Sequence, residues 1–281
     1  MGRRLLIVDG SNLLFQMFFG MPSRIVNQQG KAIQGTLGFV GALRKIILMT
    51  APACVAVLFD GEHENARAAL DPAYKSNRAD YDQVPEEENP FSQIGDVYKA
   101  LDYMGIKHRE AVHCEADDLI AGYALTYGQH TEVVISSFDS DFFQLLTDRV
   151  SVLRYRGKET VIWTPDTLKE KFGIAPAQYA DFKSLTGDKA DNIKGAEGIG
   201  PKTAALLLGQ FGTLENILAH GEDIKKLSVR ESVIRNTERL RTNYKMIKLG
   251  SSSVLPFPLE ELEYELGERT TDDVLKGIGL R

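Results

Sequence analysis

The stretch LLIVDGSN at residues 5–12 decides the fold class, because four consecutive apolar residues end at a charged one, Asp9. Two more apolar runs rich in β-branched residues occupy residues 55–59 and 133–136. Runs this short predict buried strands. Helical patterns separate or follow them, at residues 35–48, 91–103 and 116–127. The alternation predicts an α/β fold with a mainly parallel central sheet and helices on both faces.

Each of the three predicted strands leads into acidic residues. They are Asp9 after the first strand, Asp60 after the second, and Asp139 and Asp141 after the third. In parallel α/β sheets, binding sites form beyond the carboxyl ends of the strands. The sequence therefore predicts that three separate strands deliver carboxylates to one rim of the sheet.

Five more acidic residues fall in two short segments. Glu115, Asp117 and Asp118 open the third predicted helix, and Asp188 and Asp191 stand in the turn-like TGDKADN. Acidic side chains in a first helical turn are common because they interact favourably with the helix dipole. Such capping could explain the first segment by itself, but the number of acids in the chain favours a shared binding site.

Nine carboxylates near one rim would repel one another by several kcal/mol unless cations neutralise them. Oxygen ligands without histidine or cysteine partners favour Mg²⁺ or Mn²⁺ over Zn²⁺, and the five histidines form no HxxxH pair. Two such ions about 4 Å apart can activate a water and stabilise the leaving oxygen in a displacement at phosphorus. The acids therefore predict a two-metal site for phosphodiester hydrolysis.

The composition alone does not suggest a nucleic-acid-binding protein, because the formal net charge of the 281 residues is −6. If the nine acids face metal ions, however, only 30 of the 39 acidic residues remain to balance the 33 basic ones. Basic segments are then free to meet phosphates. No apolar run approaches the roughly 18 residues that span a bilayer, and Cys54 and Cys114 form no CxxC pair. We expect a reduced, cytoplasmic protein without membrane contact.

Residues 61–90 differ from their surroundings, with few large apolar residues, several charges and an EEE run. They predict a mobile insertion over the sheet edge, with a solvated connector as an equal alternative. Residues 152–155 and 160–163 predict a hairpin. Beyond it the pattern is helical, which predicts an α/β core at residues 1–163 and a helical part at residues 164–281, packed as one compact unit.

The segment GAEGIGPKTAALLLG at residues 195–209 places glycines directly before Pro201, a favourable first helical residue. Such a turn exposes backbone N–H groups at the positive end of a helix, which suits a phosphate. A lone GxG is weak evidence, but the continuation GIGPKTA resembles the DNA-binding helix-hairpin-helix and the larger helix-three-turn-helix of 5′ nucleases. We place this motif at residues 187–220.

Seven motifs now stand in one order along nearly the whole chain: VDGSN, FDG, YKSNR, EADD, FDSD, GDKADN and GIGPKTA. In this order they resemble the bacterial 5′ nuclease family, which comprises the N-terminal 5′–3′ exonuclease domain of DNA polymerase I and its freestanding flap-endonuclease relatives. The resemblance implies a PIN-like 5′ nuclease core, a helical arch and a C-terminal helix-three-turn-helix subdomain.

The resemblance implies two sets of metal-binding acids for two or more Mg²⁺ or Mn²⁺ ions. One ion is expected at Asp9, Asp60, Glu115 and Asp117. The others are expected at Asp118, Asp139, Asp141, Asp188 and Asp191. Asp117 and Asp118 are counted among the catalytic residues, as are two basic residues of the insertion, Lys75 and Arg78.

The insertion corresponds to the helical arch of the family, and its matching positions are Arg67, Tyr74, Lys75 and Arg78. The basic side chains are expected to grip the scissile phosphate and Tyr74 to stack against displaced bases. We expect the basic residues to fold over the site only once substrate arrives.

At the hairpin, the family contacts the uncleaved duplex and tends to bind K⁺ through backbone carbonyls. The matching positions are Gly198, Gly200, Lys202 and Thr203.

Four positions depart from the family pattern. Gln16 stands where many relatives have Arg, Phe138 and Ser140 replace the Gly and Lys of the usual GDKD, and Lys194 replaces a Pro. These departures concern substrate grip and rate, since all nine matching acids are present.

The sequence thus predicts a structure-specific 5′ nuclease of DNA replication and repair that acts on flaps, nicks or free 5′ ends, with RNA primers as an open question. DNA polymerase and ligase are expected to act in trans, at the bacterial nucleoid. A PIN-type ribonuclease and a non-catalytic, structure-specific DNA-binding protein are the alternatives. The hairpin and the basic insertion argue against the first, and the complete acid set argues against the second.

Overall fold

The computed structural model describes residues 3–21, 23–61, 66–78, 81–250 and 254–281. Residues 62–65 and 79–80 of the predicted insertion therefore lie outside the described residues.

A six-stranded sheet forms the centre of the molecule. Its strands are β1 (Arg4–Asp9), β2 (Cys54–Phe59), β3 (Lys107–Glu110), β4 (Glu132–Ser136), β5 (Val150–Arg154) and β6 (Val161–Trp163). The spatial order is β3-β2-β1-β4-β5-β6, and every neighbouring pair is parallel except β5 with β6. The predicted parallel sheet is confirmed, and so is the β-hairpin predicted at residues 152–155 and 160–163.

Helices surround this sheet and continue into the C-terminal part. The helices before β6 are α1 (Gly10–Gly20), α2 (Gln34–Thr50), α3 (Ala66–Leu70), α4 (Ile94–Met104) and α5 (Ala116–Tyr127). The later ones are α6 (Pro165–Phe172), α7 (Tyr179–Thr186), α8 (Pro201–Phe211), α9 (Leu214–Ala219), α10 (Leu227–Arg235), α11 (Thr237–Ile247) and α12 (Thr271–Gly277). Between α7 and α8, the short strands β7 (Gly187–Asp188) and β8 (Ile193–Lys194) form an antiparallel pair.

Alternation along the buried strands sends side chains to both faces of the sheet. In β1, Leu6 and Val8 join the core under α1, α2 and α4. Leu5 and Ile7 join the opposite core, which contains α5 and extends to α8 residues such as Leu207. Helices therefore cover both faces, as predicted.

The helix α1 begins at once after β1, and local contacts explain why. Asp9 caps the helix, since its side chain accepts a hydrogen bond from the backbone N–H of Asn12. Gly10 permits the tight exit, because a Cβ there would lie 2.5 Å from the Phe59 ring. This geometry fixes the first acid of the rim at a strand end and a helix start.

The last helix returns to the amino-terminal part of the chain. In α12, Val274 packs with Val40 and Ala100, and Leu275 packs with Ile33. Among the described residues, no helix combines the length and the apolar character needed to cross a membrane.

Candidate metal centre and nucleic-acid interface

Four carboxylates meet beyond the ends of β1, β2 and β4, and we call Asp9, Asp60, Asp117 and Asp139 the rim group. Asp9 is 5% exposed, and its Oδ2 accepts a hydrogen bond of 2.7 Å from Ser137 Oγ. The same hydroxyl oxygen accepts the backbone N–H of Asp139 at 3.0 Å. Asp9 and Asp139 are therefore held beside each other by one serine.

Asp60 is tied to two helix starts. Its backbone N–H donates to Ser11 Oγ at 2.9 Å, and its Oδ1 accepts the backbone N–H of Ala116 at 3.0 Å. The second bond places the Asp60 carboxylate at the N-terminus of α5, where Asp117 lies in the first turn.

The electrostatics of the rim group are repulsive. Burial raises the pKa of Asp9 to about 7, and the charges of Asp60 and Asp139 act in the same direction. Burial also raises the pKa of Asp117 well above its usual range, together with the charges of Asp139, Asp60 and Asp9. Such mutual repulsion is what a bound divalent cation would relieve.

A second set, the turn group, consists of Asp141, Asp188 and Asp191. Ligand oxygens of these three residues lie within 4.8 Å of one another, close enough to share a metal ion. Asp188 and Asp191 stand at the β7–β8 turn, whereas Asp141 follows β4, and its N–H donates to Asp139 Oδ1 at 2.8 Å. The two groups are thus connected through one backbone bond.

Lys183 of α7 lies against the turn group, and this position was not predicted from the sequence. Its Nζ contacts Asp188 and lies 3.2 Å from Asp141 Oδ1. Although burial by itself would lower the pKa of Lys183, the carboxylates beside it raise it above its usual value. Burial raises the pKa of Asp141 to about 7, and Lys183 moderates this rise. The signal that was available is a lysine between Phe182 and Leu185, five residues before Asp188.

Glu115 and Asp118 share the guanidinium of Arg67. Arg67 Nη1 contacts Glu115, and Nη2 lies 2.7 Å from Asp118 Oδ1. Asp118 therefore lies beside Glu115, although the resemblance assigned the two residues to different metal ions. Lys75 Nζ also reaches Glu115 Oε1, at 2.7 Å. The two acids bind basic side chains of the insertion in this structure.

The expectation that basic residues of the insertion reach the site only when substrate arrives is wrong for this structure. Arg67 and Lys75 pair with Glu115, and Arg78 Nη2 lies 2.8 Å from Asp191 Oδ1. Buried carboxylates attract these cations directly, so no phosphate is needed to bring them in.

Tyr74 also differs from its predicted role. Its ring is only 7% exposed and packs with Ala180, Ile193 and Met246, while its hydroxyl lies 3.3 Å from Glu115 Oε2. In this conformation the ring faces the C-terminal helices and is not available to stack against displaced bases.

The loop of the predicted helix-hairpin-helix motif lies between β8 and α8. Gly198 has φ +75, a conformation that favours glycine, and Gly200 precedes the helix with Pro201 as its first residue. Lys202 is exposed and Thr203 is half-buried in the first turn of α8. The predicted helix start is confirmed, and α8 runs two residues beyond Gly209 to Phe211.

The four departures from the family pattern have local partners. Gln16 Nε2 donates to the Tyr155 carbonyl at 2.6 Å, and Ser140 Oγ lies 3.3 Å from Lys183 Nζ. The carbonyls of Phe138 and Lys194 accept hydrogen bonds from Arg154 and Asn243, at 2.7 and 2.9 Å. An ammonium therefore lies next to residue 140 although that residue is a serine.

Comparison with protein families gives two matches. The description "5′-3′ exonuclease, N-terminal resolvase-like domain" covers residues 4–173, and "5′-3′ exonuclease, C-terminal SAM fold" covers residues 174–270.

Similar sequences include thermostable DNA polymerase I of Thermus thermophilus, which is 34% identical over 259 residues, 92% of this chain and 30% of that protein. DNA polymerase I of Rhizobium leguminosarum is 33% identical over 272 residues, 94% of this chain and 26% of that protein. The chain therefore spans less than a third of the length of these polymerases.

Similar solved structures include the T5 5′-exonuclease with bound divalent zinc ions, with a TM-score of 0.73, 26% identity, and 87% and 89% of the two chains covered. The bacteriophage T5 flap endonuclease in a pseudo-enzyme–product complex with DNA and metal ions has a TM-score of 0.73 and 25% identity over the same shares. The catalytic core of Rad2 with DNA substrate, at 16% identity and a TM-score of 0.60 over 99% and 93%, shares the fold.

Proposed function

The chain belongs to the 5′–3′ exonuclease family, and from this premise we propose that it is a structure-specific 5′ nuclease that hydrolyses DNA phosphodiesters near a free 5′ end. The activity we propose comprises 5′–3′ exonuclease and flap-endonuclease cleavage, in DNA replication and repair. The observation that carries it is the joining of the rim group and the turn group into one carboxylate site beside a basic insertion.

The donor set fits hard divalent cations, because every clustered acid offers carboxylate oxygen. We propose that Asp9, Asp60, Asp117 and Asp139 hold one Mg²⁺ or Mn²⁺ and that Asp141, Asp188 and Asp191 hold a second. Such ions, when bound, supply an activated water and stabilise the leaving oxygen. Glu115 and Asp118 would join the ligands, directly or through water, when Arg67 exchanges them for a phosphate.

The protein's own cations would position the substrate. Lys75, Arg67 and Arg78 are paired with carboxylates, and an incoming phosphodiester offers an alternative anionic partner. We propose that Lys75 and Arg78 turn to the scissile phosphate, where they stabilise charge that grows during hydrolysis.

The hairpin would hold the uncleaved duplex. Gly198, Gly200, Lys202 and Thr203 are the proposed contacts, made to phosphates by backbone N–H groups and one exposed lysine, with K⁺ at backbone carbonyls. Such contacts carry no base information, so we expect cleavage to depend on DNA shape. Polymerase and ligase in trans, and a cytoplasmic site of action, remain part of the proposal, as does the division into residues 1–163 and 164–281.

The test is cleavage of a 5′-labelled flap, a nicked duplex and a single strand, each as DNA and as an RNA-containing version, with Mg²⁺, Mn²⁺ or chelator. We expect metal-dependent cutting near the flap junction and at the nick, and none in chelator. Turnover in chelator would refute the metal mechanism. Cutting of RNA strands alone would favour the PIN-type ribonuclease, and tight binding without cutting would favour the DNA-binding protein.

A further inference from the structure

Asn243 of α11 connects the segments on either side of the turn group. Its Nδ2 donates to the Ser184 carbonyl at 3.0 Å and to the Lys194 carbonyl at 2.9 Å, and the side chain is 2% exposed. Ser184 lies near the end of α7, just before β7, and Lys194 ends β8. One amide therefore clamps the base of the turn that carries Asp188 and Asp191.

The start of the hairpin loop lies against the same turn. The backbone of Gly195 touches that of Gly187, since a Cβ on Gly195 would lie 2.5 Å from Gly187 N. Ala196 N–H donates to the Leu185 carbonyl at 2.9 Å. Turn and loop are thus in backbone contact, and a shift of either one moves the other.

The end of α11 is tied to the third acid of the turn group as well. Gln144 Nε2 donates to the Asp141 carbonyl at 2.9 Å and to the Ile247 carbonyl at 3.1 Å. Gln144 Oε1 accepts the N–H of Leu249 at 3.0 Å. The glutamine is 8% exposed, so these bonds are largely shielded from water.

The helix reaches the insertion too, because Arg67 Nε donates to the Met246 carbonyl at 2.8 Å. The last turn of α11 and the residues directly after it thus contact the base of the hairpin, the segment of Asp141 and the insertion. Buried hydrogen bonds of this kind have directional geometry and are costly to leave unmade.

We propose that Asn243 and Gln144 are positioning residues that fix the hairpin relative to the carboxylates, and so determine which phosphodiester is cut. This inference rests on the proposed nuclease function. A duplex held at the hairpin presents successive phosphates to the carboxylate site, spaced by about 3.4 Å of helix axis per strand. A rigid connection selects one of them, whereas a loosened one admits its neighbours.

The test compares Asn243→Ala with Asn236→Ala. Asn236 Nδ2 donates at 2.7 Å to the Ser232 carbonyl four residues earlier, so its bond stays within one helical region. On a 5′-labelled flap with Mg²⁺, we expect Asn243→Ala to raise the share of products cut one nucleotide away from the main position by about tenfold. Asn236→Ala should keep the wild-type product pattern.

Two further variants and three other readouts separate a change in the cutting position from general damage. Asn243→Ser, which keeps one donor, should give an intermediate pattern, and Gln144→Leu should broaden the products in the same way as Asn243→Ala. Duplex affinity measured with Ca²⁺ and Mn²⁺ affinity measured by calorimetry should stay near wild type. Hydrogen exchange of the Ala196 amide should accelerate in Asn243→Ala and not in Asn236→Ala.

An unchanged product pattern in folded Asn243→Ala or Asn243→Ser, with unchanged exchange at Ala196, would overturn the inference. If Asn243→Ala does not fold, Asn243→Ser and Gln144→Leu decide the question by the same readouts. A wild-type protein that cuts none of the substrates would refute the proposed function instead, and the exchange experiment would still report whether Asn243 holds the loop.

Discussion

The two carboxylate groups are built from the same residue type but are neutralised differently. In the rim group, Asp9 and Asp60 accept hydrogen bonds from a hydroxyl and from backbone N–H groups at helix starts. In the turn group, the ammonium of Lys183 lies against Asp141 and Asp188. The hydrogen-bond donors of the rim group are dipoles, whereas the turn group is held by the positive charges of Lys183 and Arg78.

The difference indicates how strongly each group depends on metal. Dipoles orient the rim carboxylates but leave their mutual repulsion in place. Burial is the largest cause of the raised pKa of Asp117, and this repulsion is the next. In the turn group, burial and then the charge of Asp139 raise the pKa of Asp141, and Lys183 offsets part of this rise. We therefore expect the rim group to be the tighter metal site and the turn group to exchange its cation more readily.

The largest expected effect comes from Asp117→Asn. Cleavage should fall by at least about 1,000-fold, because a half-buried ligand oxygen and its charge are lost. In chelator the melting temperature should rise, because the substitution removes a charge that Asp139, Asp60 and Asp9 repel. Flap-cleavage rates and thermal melts with chelator measure the two effects.

Asp148→Asn is the matched control, since Asp148 is an exposed aspartate before β5. It should leave both rate and melting temperature unchanged. An Asp117→Asn protein that cleaves at most of the wild-type rate would show that the rim group is not the principal metal site.

A smaller effect is expected from Lys183→Met, which removes the internal cation of the turn group. In chelator the free energy of unfolding should fall by about 3 kcal/mol, since carboxylates remain buried without their partner. Mg²⁺ should then raise the melting temperature more than it does in the wild type, because the metal no longer competes with an ammonium. Denaturant unfolding with and without Mg²⁺ measures both quantities.

Lys189→Met serves as the control, because Lys189 is an exposed lysine in the same turn. Equal Mg²⁺ stabilisation in Lys183→Met and the wild type would remove the distinction between the two groups.

The smallest effect is a pH dependence of stability in the metal-free protein. Burial, followed by neighbouring charges, raises the pKa of Asp9 and of Asp141 to about 7, against about 3.9 for an unfolded aspartate. The folded protein therefore holds protons that the unfolded chain releases. The stabilisation is complete below about pH 4 and is lost as the pH rises through about 7.

Melting in chelator should accordingly drop by a few degrees between about pH 5 and pH 8, and Mg²⁺ should restore more of it at the higher pH. A metal-free melting temperature that rises across this range would contradict the raised pKa values of the two acids.

Some of the fold could be predicted because the signal was local. The strands β1, β2 and β4 are short apolar runs, and their parallel arrangement carries the acids to one rim. The strand β3 was missed because it is an edge strand with the polar sequence KHRE, which shows no buried face. An exposed strand gives no periodic apolar pattern to detect.

The site could be predicted only for residues whose side-chain type by itself indicates metal binding. Nine acids are visible in a sequence, whereas the partner of Lys183 depends on how α7 packs beside the segment after β4. Tyr74 stands in a polar insertion, so its burial against Met246 could not be inferred from composition. Asn243 was missed for the same reason, since its two acceptors lie 59 and 49 residues away in the chain.

The return of α12 to the amino-terminal half has a consequence for the order in which the chain is made. Val274 covers Val40 and Ala100, and Leu275 covers Ile33, so early helices are completed by a late one. At about 5–20 residues per second, the ribosome needs roughly 10–50 seconds to travel from the first of these partners to the last. During that interval the outer side of α2 lies uncovered, and this part of the core closes only after residues 274 and 275 have been added.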